Sequence, residues 1–470
     1  MKPVPEDLSD RSVAIMGAGK SGLALMRELT ARGARVFLSD QRTAGELGEL
    51  PLEGVELELG GHTDRIYRGR DLVVISPGIS VHHPILVEAR QHGVPVAGEV
   101  EMAYRFCRAP FVAVTGTNGK STTATLIHRM LEPRSILAGN IGSPLVAEVT
   151  PLGPDRLVVA EISSFQLETT HRFRPQVAVL TNITADHLDR HPTFQEYVAA
   201  KARLFSFQTP EDLALFSSDD PESRRLGQQL RQGRLPAWLA DFPAPESPPR
   251  PRVLEFSTRG PVARGAWLEH GLVRFRMGGE AERLFPWGFP GLPGPHNLSN
   301  ALAAVAVARA LDVPAERIKS VLASHQTLHH RLELVGEVGG VRFVDDSKAT
   351  NPSSVEAALD TFEGPIVLIA GGKDKGTDFT SLGVKVRQRA RHLVLIGEAA
   401  ERLEAAARKA GMESVYPCGF DFERAVDTAA GLAEPGGVVL LSPACASFDM
   451  FKNAEDRGEQ FRALVERRMR

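Results

Sequence analysis

A run of small and hydroxyl residues around one lysine, Thr115-Gly116-Thr117-Asn118-Gly119-Lys120-Ser121-Thr122, has the parts of a triphosphate cradle. A glycine turn that opens a helix aims backbone N–H groups and a positive helix end at anionic oxygens. Lys120 adds a point charge, and Ser121 or Thr122 offers a hydroxyl to Mg2+. The strict pattern for such loops asks for glycine where Val114 stands, and the competing reading is a glycine turn that merely starts a helix. A second turn, Gly17-Ala18-Gly19-Lys20-Ser21-Gly22, is followed by Asp40 at the end of the next apolar stretch, as in a dinucleotide fingerprint. Three readings stay open for it: a nicotinamide site, a cradle for the diphosphate of a nucleotide-linked substrate, or a tight turn without a ligand.

Both turns need a parallel sheet behind them. Residues 13–16, 17–22, 23–32 and 35–39 read as strand, glycine turn, helix and strand, and the apolar stretch 72–75 ends in Ser76-Pro77-Gly78. Residues 111–114 form the strand that feeds the lysine loop, a helix follows over 123–131, and further strands fall at 157–160 and 177–180. Residues 243–251 are rich in Pro, Glu and Ser, and the short alternating segments after them, such as 273–277, read as an antiparallel patch. Helical runs at 300–311 and 315–323 precede strands at 366–370, 393–396 and 438–441. The expected architecture is α/β with three domains, over 1–106, 107–327 and 328–470, and ligands at the carboxyl edges of the sheets.

Composition narrows the function classes. The 470 residues are 43% hydrophobic and 24% charged, which suits several ordinary globular cores. The 55 basic and 58 acidic residues give a net charge of −3, so no global field gathers nucleic acid or an anionic membrane. Cys107, Cys418 and Cys445 are odd in number and widely spaced, which fits a reducing cytoplasm better than a disulfide or thiolate-metal framework. Residues 1–10 lack the basic start and apolar run of a signal peptide, and no stretch is apolar for long enough to span a bilayer. A cytoplasmic protein without a nucleic-acid or membrane partner is expected.

Several segments together carry a family resemblance. The lysine loop, Gly139-Asn140-Ile141-Gly142, Glu161-Ile162-Ser163-Ser164-Phe165-Gln166-Leu167, residues 182–191 and His296-Asn297-Leu298-Ser299-Asn300-Ala301 follow one another as in the Mur ligases and folylpolyglutamate synthetases. Asp346-Ser347-Lys348-Ala349-Thr350-Asn351 and the stretch 441–453 resemble the D-glutamate-adding branch of the Mur ligases. The resemblance implies an N-terminal Rossmann-like UDP-binding domain, a central P-loop-type ATPase domain and a C-terminal Rossmann-like amino-acid-binding domain. It implies an ATP-dependent ligase that joins D-glutamate to UDP-N-acetylmuramoyl-L-alanine through an acyl phosphate, acting as a monomer in peptidoglycan precursor synthesis.

Residue roles follow from the same resemblance. Lys120, Glu161, His187, Lys201 and Lys348 are the implied catalytic set. Gly116, Thr117, Asn118, Gly119, Lys120, Ser121 and Thr122 hold ATP phosphates, Asn297 and Asn300 the adenine, and Arg331 and Asp346 reach ATP from the third domain. Two Mg2+ sites are implied, one on Ser121 and Glu161, the other on His187 and a carbamylated Lys201. Lys20, Ser21, Gln41, Arg42, Ser76, Pro77, Gly78, Asn140, Ser163 and His187 match the UDP-substrate positions; Lys348, Thr350, Lys375 and Ser447 match those for D-glutamate. Taken singly, Lys201 reads as a solvated helix lysine, His187 as a surface histidine, Glu161 as a strand-end carboxylate and Asn300 as a helix cap.

The sequence departs from the family at Ala454, where phenylalanine is usual, at Ser217, where asparagine is usual, and at Lys373, an extra lysine beside Lys375. A nicotinamide oxidoreductase built on Gly17–Gly22 and a nucleotide sensor without chemistry remain rivals. The spread of ligand residues over three domains also implies closure of the third domain on substrate binding.

Overall fold

The computed structural model describes residues 3–48, 54–141, 143–187, 190–236 and 247–469. Of the segments singled out above, residues 1–2, Gly142, Leu188, Asp189 and residues 243–246 lie outside the described ones.

Three sheets organise the described residues. The first holds β1 (Ser12–Met16), β2 (Arg35–Asp40), β3 (Glu56–Leu59), β4 (Leu72–Ile75) and β5 (Val96–Gly98) in the order β3-β2-β1-β4-β5, all parallel. β1 and β4 are buried throughout and read as continuous apolar runs because both faces of the sheet are covered. The chain leaves β1 toward β2 on one side and β4 lies on the other, so the carboxyl ends of β1 and β4 flank a topological switch point.

The second sheet contains β6 (Phe111–Thr115), β7 (Ser135–Gly139), β8 (Leu157–Glu161), β9 (Val177–Leu180), β10 (Leu213–Ser217), β11 (Arg252–Ser257), β12 (Gly265–Glu269), β13 (Leu272–Arg276) and β14 (Glu282–Pro286). The order is β14-β13-β12-β11-β10-β9-β6-β8-β7. β7 to β12 pair in parallel, while β12, β13 and β14 form an antiparallel ribbon, as the alternating segment near 273–277 led one to expect. A third sheet, ordered β15-β16-β20-β17-β18-β19, is built from β15 (Glu333–Val338), β16 (Val341–Asp345), β17 (Ile366–Gly371), β18 (Ala390–Ile396), β19 (Val415–Pro417) and β20 (Val438–Leu441). Only β15 runs antiparallel. Apolar clusters cover each face of this sheet.

The described residues fall into two compact units. One comprises Met1–Ile183, Arg190–Trp287 and Asn300–Val321 and contains the first two sheets; the other comprises Thr184–Asp189, Gly288–Ser299 and Leu322–Arg470 and contains the third. Among the described residues no helix is long and apolar enough to cross a membrane.

Two helices begin earlier than periodicity suggests. The helix after the lysine loop is Lys120–Leu131, and the one expected from residue 300 is Pro295–Ala310. Asn300 is therefore an interior helix residue and not a cap. Apolar periodicity marks where a helix becomes buried, whereas Pro295 at a first-turn position marks where it starts.

Candidate active site

Strand register assembles the lysine loop. β6 lies between β8 and β9, with Val114 opposite Glu161 and Thr115 opposite Leu180, so Glu161, the loop 115–122 and the Thr181–Asn182 turn emerge side by side. Asn182 fastens the loop: its carbonyl accepts from the Thr117 N–H at 2.9 Å, its Oδ1 from the Asn118 N–H at 2.9 Å, and its Nδ2 donates to the Asn118 carbonyl at 3.0 Å. Thr181 Oγ1 donates to the same carbonyl at 2.6 Å. Gly116, at φ +151°, leaves no space for a Cβ beside Thr181, and Gly119, at φ +82°, none beside the Asn300 side chain. Glycine is thus required twice, and Asn300 packs on the loop.

Cations line the loop from inside. Lys120 Nζ donates to the carbonyls of Gly116 at 2.9 Å and Thr117 at 2.7 Å. Lys201, on the helix Phe194–Ala202, is 1% exposed, and its Nζ donates to the Gly116 carbonyl at 2.8 Å while sitting 4.5 Å from the centroid of the Tyr197 ring. Tyr197 OH lies 3.1 Å from Thr117 Oγ1. Tyr197 was missed by sequence reasoning, although its i,i+4 spacing from Lys201 places both on one helix face.

Glu161 is 3% exposed; its Oε1 accepts from Asn140 Nδ2 at 2.9 Å, and its Oε2 is buried with no hydrogen-bond partner among the described residues. A buried carboxylate oxygen left bare is costly unless a cation meets it. With the hard hydroxyl oxygen of Ser121 in the first turn of the neighbouring helix, this donor set suits Mg2+. Ser163 caps the short helix Ser164–Leu167 through a box with Gln166.

The first glycine turn is organised differently. Ser76 Oγ donates to the Gly17 carbonyl at 3.2 Å, which joins the turns after β1 and β4. Lys20 opens the helix Lys20–Ala31 with its side chain exposed, and Gln41 and Arg42 are also exposed. Asp40 accepts from the Ala18 N–H at 2.6 Å and from Arg42 Nε and Nη2 at 2.9 Å each. The Arg42 guanidinium holds the Asp40 carboxyl well below the usual carboxylate range. Both carboxylate oxygens are thereby engaged within the protein, where a nicotinamide site would turn the acid toward a ribose.

In the second unit, β16, β20 and β17 are neighbours and release three loops at one sheet edge. They carry Asp346, Lys348 and Thr350, then Ser447, then Lys373 and Lys375. Ala444 N–H donates to the Ala349 carbonyl at 2.9 Å and Gly371 N–H to the Pro443 carbonyl at 2.8 Å. Arg457, on the helix Ala454–Met469 and 0% exposed, fastens two of these loops: Nε donates to Ser347 Oγ at 2.9 Å, Nη2 to the Ser347 carbonyl at 2.8 Å and Nη1 to the Cys445 carbonyl at 3.2 Å. Burial pushes the nearby Cys445 thiol up to about 12. Arg457 carried no signal in the sequence beyond being one of many arginines.

Lys348 Nζ lies 3.2 Å from Glu455 Oε1. Lys373 is exposed and paired with Glu398 at 2.8 Å, while Lys375 is half-buried. Burial pushes the Asp346 carboxyl up to about 7 against the opposing influence of Ser442 and Arg331. The same Arg331 faces His296, which burial lowers to about 4 and whose Nδ1 is buried with no hydrogen-bond partner among the described residues. Asn297, next to His296, donates from Nδ2 to the Pro293 carbonyl at 2.8 Å. His187, at φ +54°, sits on a loop held by Asn351 Nδ2 donating to Asp186 Oδ2 at 2.9 Å and by Thr184 Oγ1 lying 3.0 Å from Ser353 Oγ.

Of the departures noted in the sequence, Ser217 has a local account and nothing in the structure explains Ala454. Ser217 Oγ accepts from the N–H groups of Asp219 and Asp220 at 3.3 Å each, so a hydroxyl performs the turn-closing task. Ala454 accepts at its carbonyl from Ser347 Oγ at 2.7 Å. The group His330, Glu333 and Asp345, whose ligand atoms lie within 4.8 Å of one another, is internally bonded, with His330 Nδ1 2.7 Å from Asp345 Oδ2.

Comparison with known proteins places this geometry. The Mur ligase MurD-like N-terminal domain matches residues 11–98, the Mur ligase middle domain 114–308 and the Mur ligase glutamate ligase domain 330–445. The chain is 45% identical over 468 residues to a UDP-N-acetylmuramoylalanine–D-glutamate ligase of Pelotomaculum thermopropionicum, covering 98% of each chain. The chain belongs to the Mur ligase family. As a Mur ligase it is an ATP-dependent carbon–nitrogen ligase of three-domain α/β fold. A second relative, the ligase of the same name from Acidobacterium capsulatum, is 41% identical over 98% of this chain and 97% of its own. Among solved structures, MurF from Acinetobacter baumannii superposes with a TM-score of 0.59 at 17% identity, covering 99% of this chain and 93% of that one, a likeness of fold.

Proposed function

We propose that this Mur ligase adds D-glutamate to UDP-N-acetylmuramoyl-L-alanine in the cytoplasm, as a monomer, with domains over 1–106, 107–327 and 328–470. The observation that carries the reading is the lysine loop with the bare oxygen of Glu161 at its side, taken with the printed activity of relatives that match the whole chain.

In the first step an oxygen of the alanyl carboxylate attacks the γ-phosphorus of ATP, the bond to the β–γ bridging oxygen breaks, and ADP leaves. Two unit negative charges about 4 Å apart repel by about 4 kcal/mol at an effective dielectric of 20, so fixed positive charge is required. Lys120 and the N–H groups of the loop supply part of it, with the helix Lys120–Leu131 directing its positive end to the phosphates. Ser121 and Glu161 would hold one Mg2+, and His187 with a carbamylated Lys201 a second. Bound metal supplies charge neutralisation and in-line orientation of the two anions. Reaction of the Lys201 amine with CO2 would give an anionic carbamate, whose oxygens suit a hard divalent cation.

In the second step the D-glutamate amine attacks the acyl carbon, a proton leaves the nitrogen, and phosphate departs. Lys348, Thr350, Lys375 and Ser447 sit on adjoining loops of one sheet edge, a set of cations and hydroxyls suited to a dicarboxylate. The pairing of Lys373 with Glu398 supports Lys375 as the glutamate lysine. Arg331 and Asp346, with Asn297 and Asn300, are assigned to ATP. Lys20, Ser21, Gln41, Arg42, Ser76, Pro77 and Gly78 are assigned to the UDP portion, Asn140 and His187 to the diphosphate and carboxyl end, and Ser163 to the same substrate.

ADP release measured with each amino acid in turn tests the assignment. Turnover is expected with D-glutamate and absent with L-alanine; the reverse pattern overturns the substrate reading. Carbamylation is read separately by a carbon-13 carbamate resonance after labelling with bicarbonate.

A further inference from the structure

One buried ionic group has no part in the chemistry above. Arg190 Nη2 donates to Glu168 Oε2 at 2.6 Å and to the Ile79 carbonyl at 2.8 Å, and Nη1 donates to the Gly78 carbonyl at 3.3 Å. Its guanidinium stacks on Phe165, 4.7 Å from the ring centroid. The Arg190 side chain is 12% exposed and that of Glu168 0%. On the other side of Glu168, His191 Nδ1 lies 3.5 Å from Oε1, and His191 Nε2 is 3.0 Å from Ser164 Oγ. The His191 ring in turn packs on Tyr197, centroids 5.2 Å apart.

The endpoints of this group are two turns. One is the turn after β4, with Ser76, Pro77 and Gly78; the other begins after β8 at Ser163 and ends at Glu168. They belong to different sheets of the same compact unit. Desolvating an ion pair is expensive and contributes little net stability, so its use lies in fixing geometry. A planar fork that holds two successive carbonyls fixes the peptide planes of the first turn, and its carboxylate partner fixes the second.

We propose that Arg190 is a positioning residue, acting through Glu168, that locks the Ser76–Gly78 turn to the Ser163 turn and so sets the affinity for the UDP-linked substrate. The inference rests on the functional reading for what binds there. It does not involve the ATP loop directly, and that separation makes it testable.

The experiment uses the full chain with Arg190→Met, Arg190→Lys and Glu168→Gln, measuring KM for UDP-N-acetylmuramoyl-L-alanine, kcat, and the dissociation constant of a non-hydrolysable ATP analogue. Arg190→Met is expected to raise that KM roughly 10- to 100-fold, the scale of a misplacement near 1 Å, with kcat and the ATP-analogue constant within about two-fold. Arg190→Lys keeps a cation for Glu168 without the fork and is expected to fall between it and the parent. Should the methionine variant not fold, the isosteric Glu168→Gln decides, with a smaller rise in the same KM. Unchanged KM in all three variants, or an equal shift in ATP-analogue binding, overturns the positioning role while leaving the ligase reading intact. A parent chain that binds the ATP analogue but not the UDP-linked substrate would instead remove the functional reading on which the proposal stands.

Discussion

The lysine loop after β6 and the three loops after β16, β17 and β20 solve the same problem, holding polar groups at a sheet edge, by opposite means. The first is built from backbone: Gly116 and Gly119 adopt conformations that leave no space for a side chain, and Asn182 matches the loop's own N–H and carbonyl groups. The second is built from side chains, with Arg457 threaded between two loops and His330 bonded to Asp345. A loop of the first kind is preorganised for any phosphate chain. One of the second kind is held by buried charge, and its shape depends on groups far away in sequence.

This contrast has consequences that differ in size. Removing the charge from the backbone-built loop with Lys120→Ala is expected to lower the rate of ADP formation by about 10²- to 10³-fold, the cost of losing one preorganised charge on a developing anion, while affinity for the UDP-linked substrate stays near the parent value. Steady-state rates with separate substrate titrations check this, and an equal loss of both would erase the distinction. Next in size, Arg457→Met strips donors from Ser347 and Cys445, each buried group left unsatisfied costing about 1–3 kcal/mol. A lower melting temperature and a KM for D-glutamate raised more than that for ATP are expected; a raised KM for ATP alone would contradict the side-chain-built account.

Smaller again is Gly119→Ala. Holding an alanine at φ +82° costs roughly 1–2 kcal/mol and the new methyl group meets Asn300. The KM for ATP is expected to rise about ten-fold and the melting temperature to fall by roughly 2–8 °C. The smallest effect is on pH. The hydrogen bond to Asp345 raises His330 above its ordinary value, so its contribution to stability is complete below about 6.5 and fades as pH climbs through the raised value. Melting curves of His330→Gln should lose that part of the decline above pH 6.5, and a parallel decline in parent and variant would show the pair to be inert.

The same contrast explains what was legible in the sequence. Strands buried on both faces announce themselves as apolar runs, and β4, β9 and β20 were found with their observed bounds. β3 and β15, each with polar residues along one or both faces, carry no such run and were not found. Gly116, Gly119 and Lys120 could be read because phosphate binding by backbone needs glycine at fixed offsets. Arg457 lies 110 residues from Ser347 and Arg190 lies 111 from Ile79, and a lone arginine has no spacing that betrays its partner. Lys201 looked like a solvated lysine because its helix alone does not reveal that the Gly116 carbonyl closes over it; only the family resemblance singled it out.

The central claim, that an acyl phosphate forms on the lysine loop, is tested most directly by following an oxygen atom. UDP-N-acetylmuramoyl-L-alanine labelled with oxygen-18 in its alanyl carboxylate is turned over with ATP and D-glutamate, and the released phosphate is weighed by mass spectrometry. One labelled oxygen per phosphate is predicted, since the attacking carboxylate oxygen leaves with phosphorus; phosphate free of label at full amide yield would contradict the account.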